Sequence, residues 1–208
     1  VDTAGLRRKK KVTDQIEFYS TIRTVKAIEE CNVACVMLDA ENGIEAQDLH
    51  ILSIVERHRK GLVILVNKWD KIQKEKNVDK EMIELIEKRI MPLSHVPILL
   101  VSATQKTRIY KAMEMVQTVY ENMHRKIPTK QLNEILMPYI DSYPPPSHRG
   151  NLIRIKFITQ VDSSAPTFIF FSNYPQHVKE SYRRYLEKKI RENFDFDGCP
   201  ITILMREK

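Results

Sequence analysis

The chain has 208 residues, 42% of them apolar and 29% charged, the balance of a soluble globular protein with room for one large domain or two small ones. Its apolar runs, such as Leu62–Val66 and Pro97–Val101, fall far short of the roughly 20 residues a membrane-spanning helix needs, and no signal peptide is visible after Val1. The net charge of +7 is spread over both halves, with 22 basic and 18 acidic residues before Pro128 and 12 and 9 from it onward, so the surface tolerates a polyanion such as RNA without demanding one.

From Thr13 to Glu30 the spacing of Ile16, Tyr19, Ile22, Val25 and Ile28 predicts a helix with one buried face, capped by Thr13 or Asp14. Val33–Leu38 is a continuous apolar run ending at Asp39, which predicts a strand buried on both sides, as in a parallel sheet. A helix over Gln47–His58 stops at Gly61, and a second buried strand follows at Leu62–Val66. Lys80–Ile90 reads as a helix ended before Pro92, Pro97–Val101 as a third strand, and Arg108–Met123 as the next helix. This alternation predicts a doubly wound α/β unit, whose ligands sit beyond the carboxyl ends of the strands. The clusters to examine are therefore Asp39, Asn67–Asp70 and Ser102–Thr104.

Near Pro128 the pattern changes. A short helix around Gln131–Tyr139 precedes the stiff Pro144-Pro145-Pro146 turn. Leu152–Gln160 and Thr167–Ser172 read as strands, Pro175–Asn193 as a helix and Pro200–Met205 as a last strand, a small α+β unit of its own. Domain limits of 1–127 and 128–208 follow. Cys31, Cys35 and Cys199 form an odd set without a CxxC pair, which argues against disulfides or zinc, fits a reducing cytosol, and leaves three small buried hydrophobes as the expected role.

Asn67-Lys68-Trp69-Asp70 directly follows a buried strand. A carboxylate at Asp70 can accept two hydrogen bonds at once, from N1–H and the exocyclic amine of guanine, an edge that adenine does not offer. Asn67 would bond the far edge of the base and tie neighbouring loops together, and the aliphatic stem of Lys68 would cover the ring face. Val1-Asp2-Thr3-Ala4-Gly5 is a second signal: Asp2 could hold Mg²⁺ through water, and the side-chain-free Gly5 lets a backbone N–H approach a phosphate closely. Ser102-Ala103-Thr104, after the third strand, offers a backbone N–H to the guanine carbonyl.

In this order and at these spacings, the three motifs resemble those of translation-factor-type P-loop GTPases. Asp2-Thr-Ala-Gly-Leu-Arg-Arg-Lys-Lys10, Glu17-Phe-Tyr-Ser20 and Arg23 resemble the second GTPase domain of the bacterial ribosome-assembly GTPases of the Der (EngA) family. Thr159-Gln160, Ala165-Pro-Thr-Phe168, Asn173, Ser181-Tyr-Arg-Arg-Tyr-Leu186, Arg191, Gly198 and Pro200 resemble the KH-like domain that closes those proteins. The resemblance implies GTP and GDP as ligands, Mg²⁺ held through Asp2, and a monomeric, cytoplasmic GTP-hydrolysing factor in maturation of the large ribosomal subunit, with ribosomal RNA or the subunit precursor as partner. Its nucleotide contacts carry over to Asp2, Thr3, Ala4, Gly5, Asn67, Lys68, Asp70, Ser102, Ala103 and Thr104.

Two departures from the family's pattern qualify that expectation. None of the five glycines, Gly5, Gly43, Gly61, Gly150 and Gly198, belongs to a GxxxxGK[ST] phosphate loop, so the chain reads as a partial GTPase domain, without its N-terminal strands and phosphate loop, and is expected to be a fragment that is inactive alone. Lys106 stands where relatives often place glycine. Leu6 follows Gly5 where Ras-like GTPases carry a water-orienting glutamine, and relatives with a hydrophobic residue there often use potassium, so no catalytic residue is assigned. The basic run Arg7–Lys11 reads either as a mobile contact or as a solvated loop.

A catalytically inactive RNA- or ribosome-binding module is the alternative from another class. The clamp of RNA-binding KH domains is a GxxG loop, absent here, which also sets the chain apart from Era-type GTPases. Tyr182, Arg183, Arg184, Tyr185, Lys188 and Lys189 could form a basic, aromatic face against RNA. The i, i+3, i+4, i+8 spacing of Tyr182, Tyr185, Leu186 and Ile190 points instead to the core.

Overall fold

A computed structural model describes residues 14–72 and 77–207, with side chains from Ile22 onward. Thr13 as a helix cap, Asp2–Gly5 and the Arg7–Lys11 run lie outside the described residues. The chain divides into two compact units with the break between Tyr120 and Glu121.

The first unit alternates helix and strand: α1 (Asp14–Glu30), β1 (Val33–Asp39), α2 (Ala46–Arg57), β2 (Gly61–Asn67), a 3₁₀ turn (Trp69–Lys71), α3 (Val78–Ile90), β3 (Ile98–Leu100) and α4 (Ile109–His124), whose last residues enter the second unit. The three strands form a parallel sheet in the order β1-β2-β3, with Asp39 opposite Asn67 and Val66 opposite Leu100. Parallel strands need crossovers, and the helices supply them. On one face Val36, Leu38, Ile64, Val66 and Leu100 pack with Ile28 of α1, Leu52 and Val55 of α2, and Ile86 and Ile90 of α3.

The other face carries Val63, Leu65, Leu99 and Val101, all buried. Val119 of α4 approaches it at Gly61, where an added Cβ would lie 2.8 Å from Val119 Cγ1 and 3.0 Å from Val33 Cγ2. Gly61 is therefore required by the close approach of a helix.

β1 is not buried on both sides as its apolar run suggests. Val36 and Leu38 face the core, whereas Cys35 and Met37 are exposed, because among the described residues the second face is closed over β2 and β3 but not over β1. The same geometry overturns the expected burial of all three cysteines: Cys35 is exposed, Cys31 half-buried, and only Cys199 is enclosed. Burial pushes the Cys199 thiol up to about 12.

The second unit holds α5 (Thr129–Ser142), β4 (Ile155–Val161), β5 (Thr167–Ser172), a 3₁₀ turn (Pro175–His177), α6 (Glu180–Asn193) and β6 (Thr202–Arg206). β5 is central, antiparallel to β4 and parallel to β6. Phe168, Phe170, Ile158, Leu132, Leu136, Leu186 and Ile190 fill its core.

Three expectations change. α5 runs several residues further than Gln131–Tyr139 and continues through Pro138. β4 starts at Ile155 rather than Leu152, because Leu152 O and Arg154 N are instead bonded by the side chain of Asn173 (2.9 and 2.8 Å). The helix expected from Pro175 breaks at Val178, which is extended and buried, and α6 begins at Glu180.

Side chains tie the unit together through backbone groups. Asn133 of α5 accepts from Ile158 N (2.9 Å) and donates to Ile158 O (2.8 Å). Gln160 donates to Arg125 O (2.7 Å) and accepts from Ile127 N (2.8 Å), fixing the segment between α4 and α5. Arg191 donates to Phe196 O and Cys199 O (both 2.9 Å) while paired with Glu187, closing the loop after α6. Among the described residues no helix is long and apolar enough to cross a membrane.

Candidate functional site

The residues beyond the carboxyl ends of β1, β2 and β3 form one connected set. β2 ends at Asn67, and its backbone is bonded on both sides: Ala40 N donates to Asn67 O (2.9 Å) on the β1 side, and Trp69 N donates to Val101 O (3.1 Å) on the β3 side. The Asn67 side chain repeats this bridge. Its Oδ1 accepts from Ala103 N (3.0 Å), and its Nδ2 lies 3.5 Å from Met37 Sδ. Lys68 then takes a left-handed conformation (φ 63°), which reverses the chain into the 3₁₀ turn and lets Trp69 bury its indole.

The side chain of Lys68 returns toward β1. Its ammonium lies 2.5 Å from Asp39 Oδ2 and 3.7 Å from Glu41, and Lys71 also pairs with Glu41 at 3.0 Å. Asp39 Oδ1 accepts from Glu41 N (3.0 Å), so both carboxylate oxygens of Asp39 are engaged.

Asp70 differs. Its Oδ1 is buried and has no hydrogen-bond partner among the described residues. A buried acceptor left without a donor costs about 1–3 kcal/mol, more when it carries charge, so the site lacks a donor that the described protein atoms do not provide.

After β3, Ser102 is buried, bridges to Thr107 and accepts from Gln105 N through its Oγ (3.1 Å). Lys106 closes this tight loop at φ 55°, the left-handed conformation for which glycine is better suited. With Ala103 N on Asn67 and Gln105 N on Ser102, Thr104 N is the backbone donor of the loop without a partner among the described residues. The structure thus brings Asn67, Lys68, Asp70, Ser102, Ala103 and Thr104 together. The roles of Asp39 and Met37 in this set were not assigned in the sequence, although Asp39 could be singled out by its place at a strand end.

Residues 16–127 match the family described as elongation factor Tu GTP-binding domain, and residues 126–206 match the KH-domain-like C-terminal domain of EngA bacterial GTPase enzymes. The chain belongs to the Der family of GTPases. It is 49% identical over 208 residues to GTPase Der of Flavobacterium johnsoniae and 47% identical over 210 residues to GTPase Der of Bacteroides thetaiotaomicron, in each case covering 100% of this chain and 48% of the relative. The chain therefore spans about half the length of the curated Der relatives it matches. Among solved structures it is similar to Era in complex with MgGDPNP and a segment of 16S ribosomal RNA, with a TM-score of 0.48 and 20% identity over 100% of this chain and 74% of that one. The observed order, a parallel α/β sheet followed by a small α+β unit, is that of a partial Der-type GTPase domain with its KH-like domain.

Proposed function

We propose that the whole protein binds guanine nucleotide, hydrolyses GTP and works as a cytoplasmic, monomeric factor in maturation of the large ribosomal subunit, and that this chain carries the half of the site that reads the base. The observation that supports it most is Asp70 Oδ1, a buried acceptor without a donor, in the loop where a guanine offers N1–H and its exocyclic amine. Thr104 N, open in the adjacent loop, is the donor for the guanine carbonyl, and Ser102 and Ala103 hold that loop in place. Asn67 keeps one amide hydrogen for the base while its oxygen ties the loops. Asp2 would hold Mg²⁺ through water, Thr3, Ala4 and Gly5 would approach the terminal phosphate, and potassium would assist hydrolysis. The ribosomal role and the RNA partner rest on the resemblance of the KH-like tail.

Replacing Asp70 by Asn in the full-length protein turns an acceptor into a donor. Hydrogen bonds to a charged acceptor contribute about 1.5–3 kcal/mol each, so GDP affinity falls by roughly 100-fold while xanthosine diphosphate, which carries a carbonyl at that edge, gains. Calorimetry with the two nucleotides checks this. Unchanged preference for GDP would remove Asp70 from the base-reading role.

A further inference from the structure

The Asp39–Lys68 pair has no role in reading the edges of a base, yet it is among the most completely bonded features of the site. Asp39 ends β1 directly opposite Asn67, so it stands one strand away from the base loop. Its side chain is only 10% exposed. One carboxylate oxygen is fixed by Glu41 N, and the backbone carbonyl accepts from Asn42 N and Gly43 N (3.2 and 2.9 Å), so the acceptor is held by the turn that follows the strand. The other oxygen holds the Lys68 ammonium. At its other end Lys68 is pinned by a left-handed backbone between Asn67 and the 3₁₀ turn. A lysine stem anchored at both ends no longer samples the rotamers that a free side chain would.

We propose that Asp39 is a positioning residue for nucleotide binding: through its ion pair it holds the aliphatic stem of Lys68 stretched between β2 and β1, as a preformed surface for the flat face of the base. This rests on the guanine-binding reading above. A lysine side chain that becomes ordered loses rotamer entropy. With the anchor in place, that loss occurs on folding; without it, nucleotide binding must bear it. The contribution is to affinity for any base of this shape, because a stem of methylene groups covers a ring without distinguishing its edges.

The test is a double-mutant cycle in the full-length protein, read by GDP calorimetry. Asp39→Ala is expected to weaken GDP binding about tenfold, and Lys68→Ala by at least as much. In the Lys68→Ala background, Asp39→Ala is expected to cost nothing further, since it acts only through Lys68. Losses that multiply would overturn the proposal and leave Asp39 as a fold residue of the β1–α2 turn, which a matching fall in melting temperature would report. Asp39→Glu, which keeps the charge, is expected to recover part of the affinity that Asp39→Ala loses; no recovery would also count against it. In an Asp70→Asn background the same tenfold loss is expected for xanthosine diphosphate. If Asp70→Asn fails to exchange the nucleotides, the base-reading assignment falls, whereas exchange with no Asp39 effect sinks only the positioning role.

Discussion

Lys106 stands at a backbone angle that most side chains avoid. At φ 55° its Cβ crowds the following carbonyl, a cost of about 1–2 kcal/mol that glycine escapes, while glycine gives back about 0.5–1 kcal/mol through the freedom of the unfolded chain. Lys106→Gly is therefore expected to stabilise the first unit by about 0.5–1 kcal/mol, measured as a higher urea midpoint with an unchanged slope. A lower midpoint would mean that the lysine side chain compensates for its own strain. The loop is legible in the sequence because Ser102-Ala103 follows a strand. That Ala103 N is taken by Asn67, leaving Thr104 N open, is not, because it depends on two loops meeting across the sheet.

At the scale of elements, α6 shows how a motif acquires its meaning from a neighbour. Ser181–Leu186 carries two tyrosines three apart beside two arginines, a pattern that suits either an exposed RNA-binding face or a core stripe. The structure gives neither reading in full. Tyr182, Leu186 and Ile190 are buried, Tyr185 is half-buried, and both tyrosine hydroxyls donate to carbonyls at the C-terminal end of α5: Tyr182 to Tyr143 O just past the helix (2.7 Å) and Tyr185 to Tyr139 O within it (3.1 Å). The end of a helix leaves carbonyls short of partners; α6 supplies one to Tyr143 O, and a further one to Tyr139 O, which already accepts from Tyr143 N (3.1 Å). Tyr182→Phe removes the shorter bond while keeping the ring. It is expected to cost about 1–2 kcal/mol in chemical denaturation, and wild-type stability would make the contact dispensable.

Desolvation raises the Tyr182 hydroxyl well above its ordinary value. The folded state therefore prefers the protonated phenol. Its contribution is complete below about pH 10 and fades as pH rises further, so the Phe variant is expected to show a shallower alkaline limb. Elsewhere the strands were legible where breakers bound them: β5 occupies Thr167–Ser172 as expected, between Pro166 and Asn173. β1 misled because cysteine and methionine read as apolar whether or not another element covers them. The break at Val178 was hidden because Val178 and Tyr182 keep a helical spacing across it.

For the molecule as a whole, the two units divide the work that the family assignment implies. The first holds the loops for which base reading is proposed; the second encloses its own core around β5. Within these 208 residues there is no GxxxxGK[ST] sequence, and the β- and γ-phosphates account for much of the grip of such proteins on GTP. By itself the chain is expected to bind GTP no tighter than micromolar, and sub-micromolar binding in calorimetry would show that the base-reading half suffices. The small sheet of the second unit has one further property. β4 is an outer strand, and an open strand invites pairing with another molecule. The amide of Asn133 occupies both backbone groups of Ile158 in the middle of that strand, standing in for a neighbouring chain. One helix side chain thus blocks the β4 edge at the point where continuous pairing with a second copy along it would have to pass.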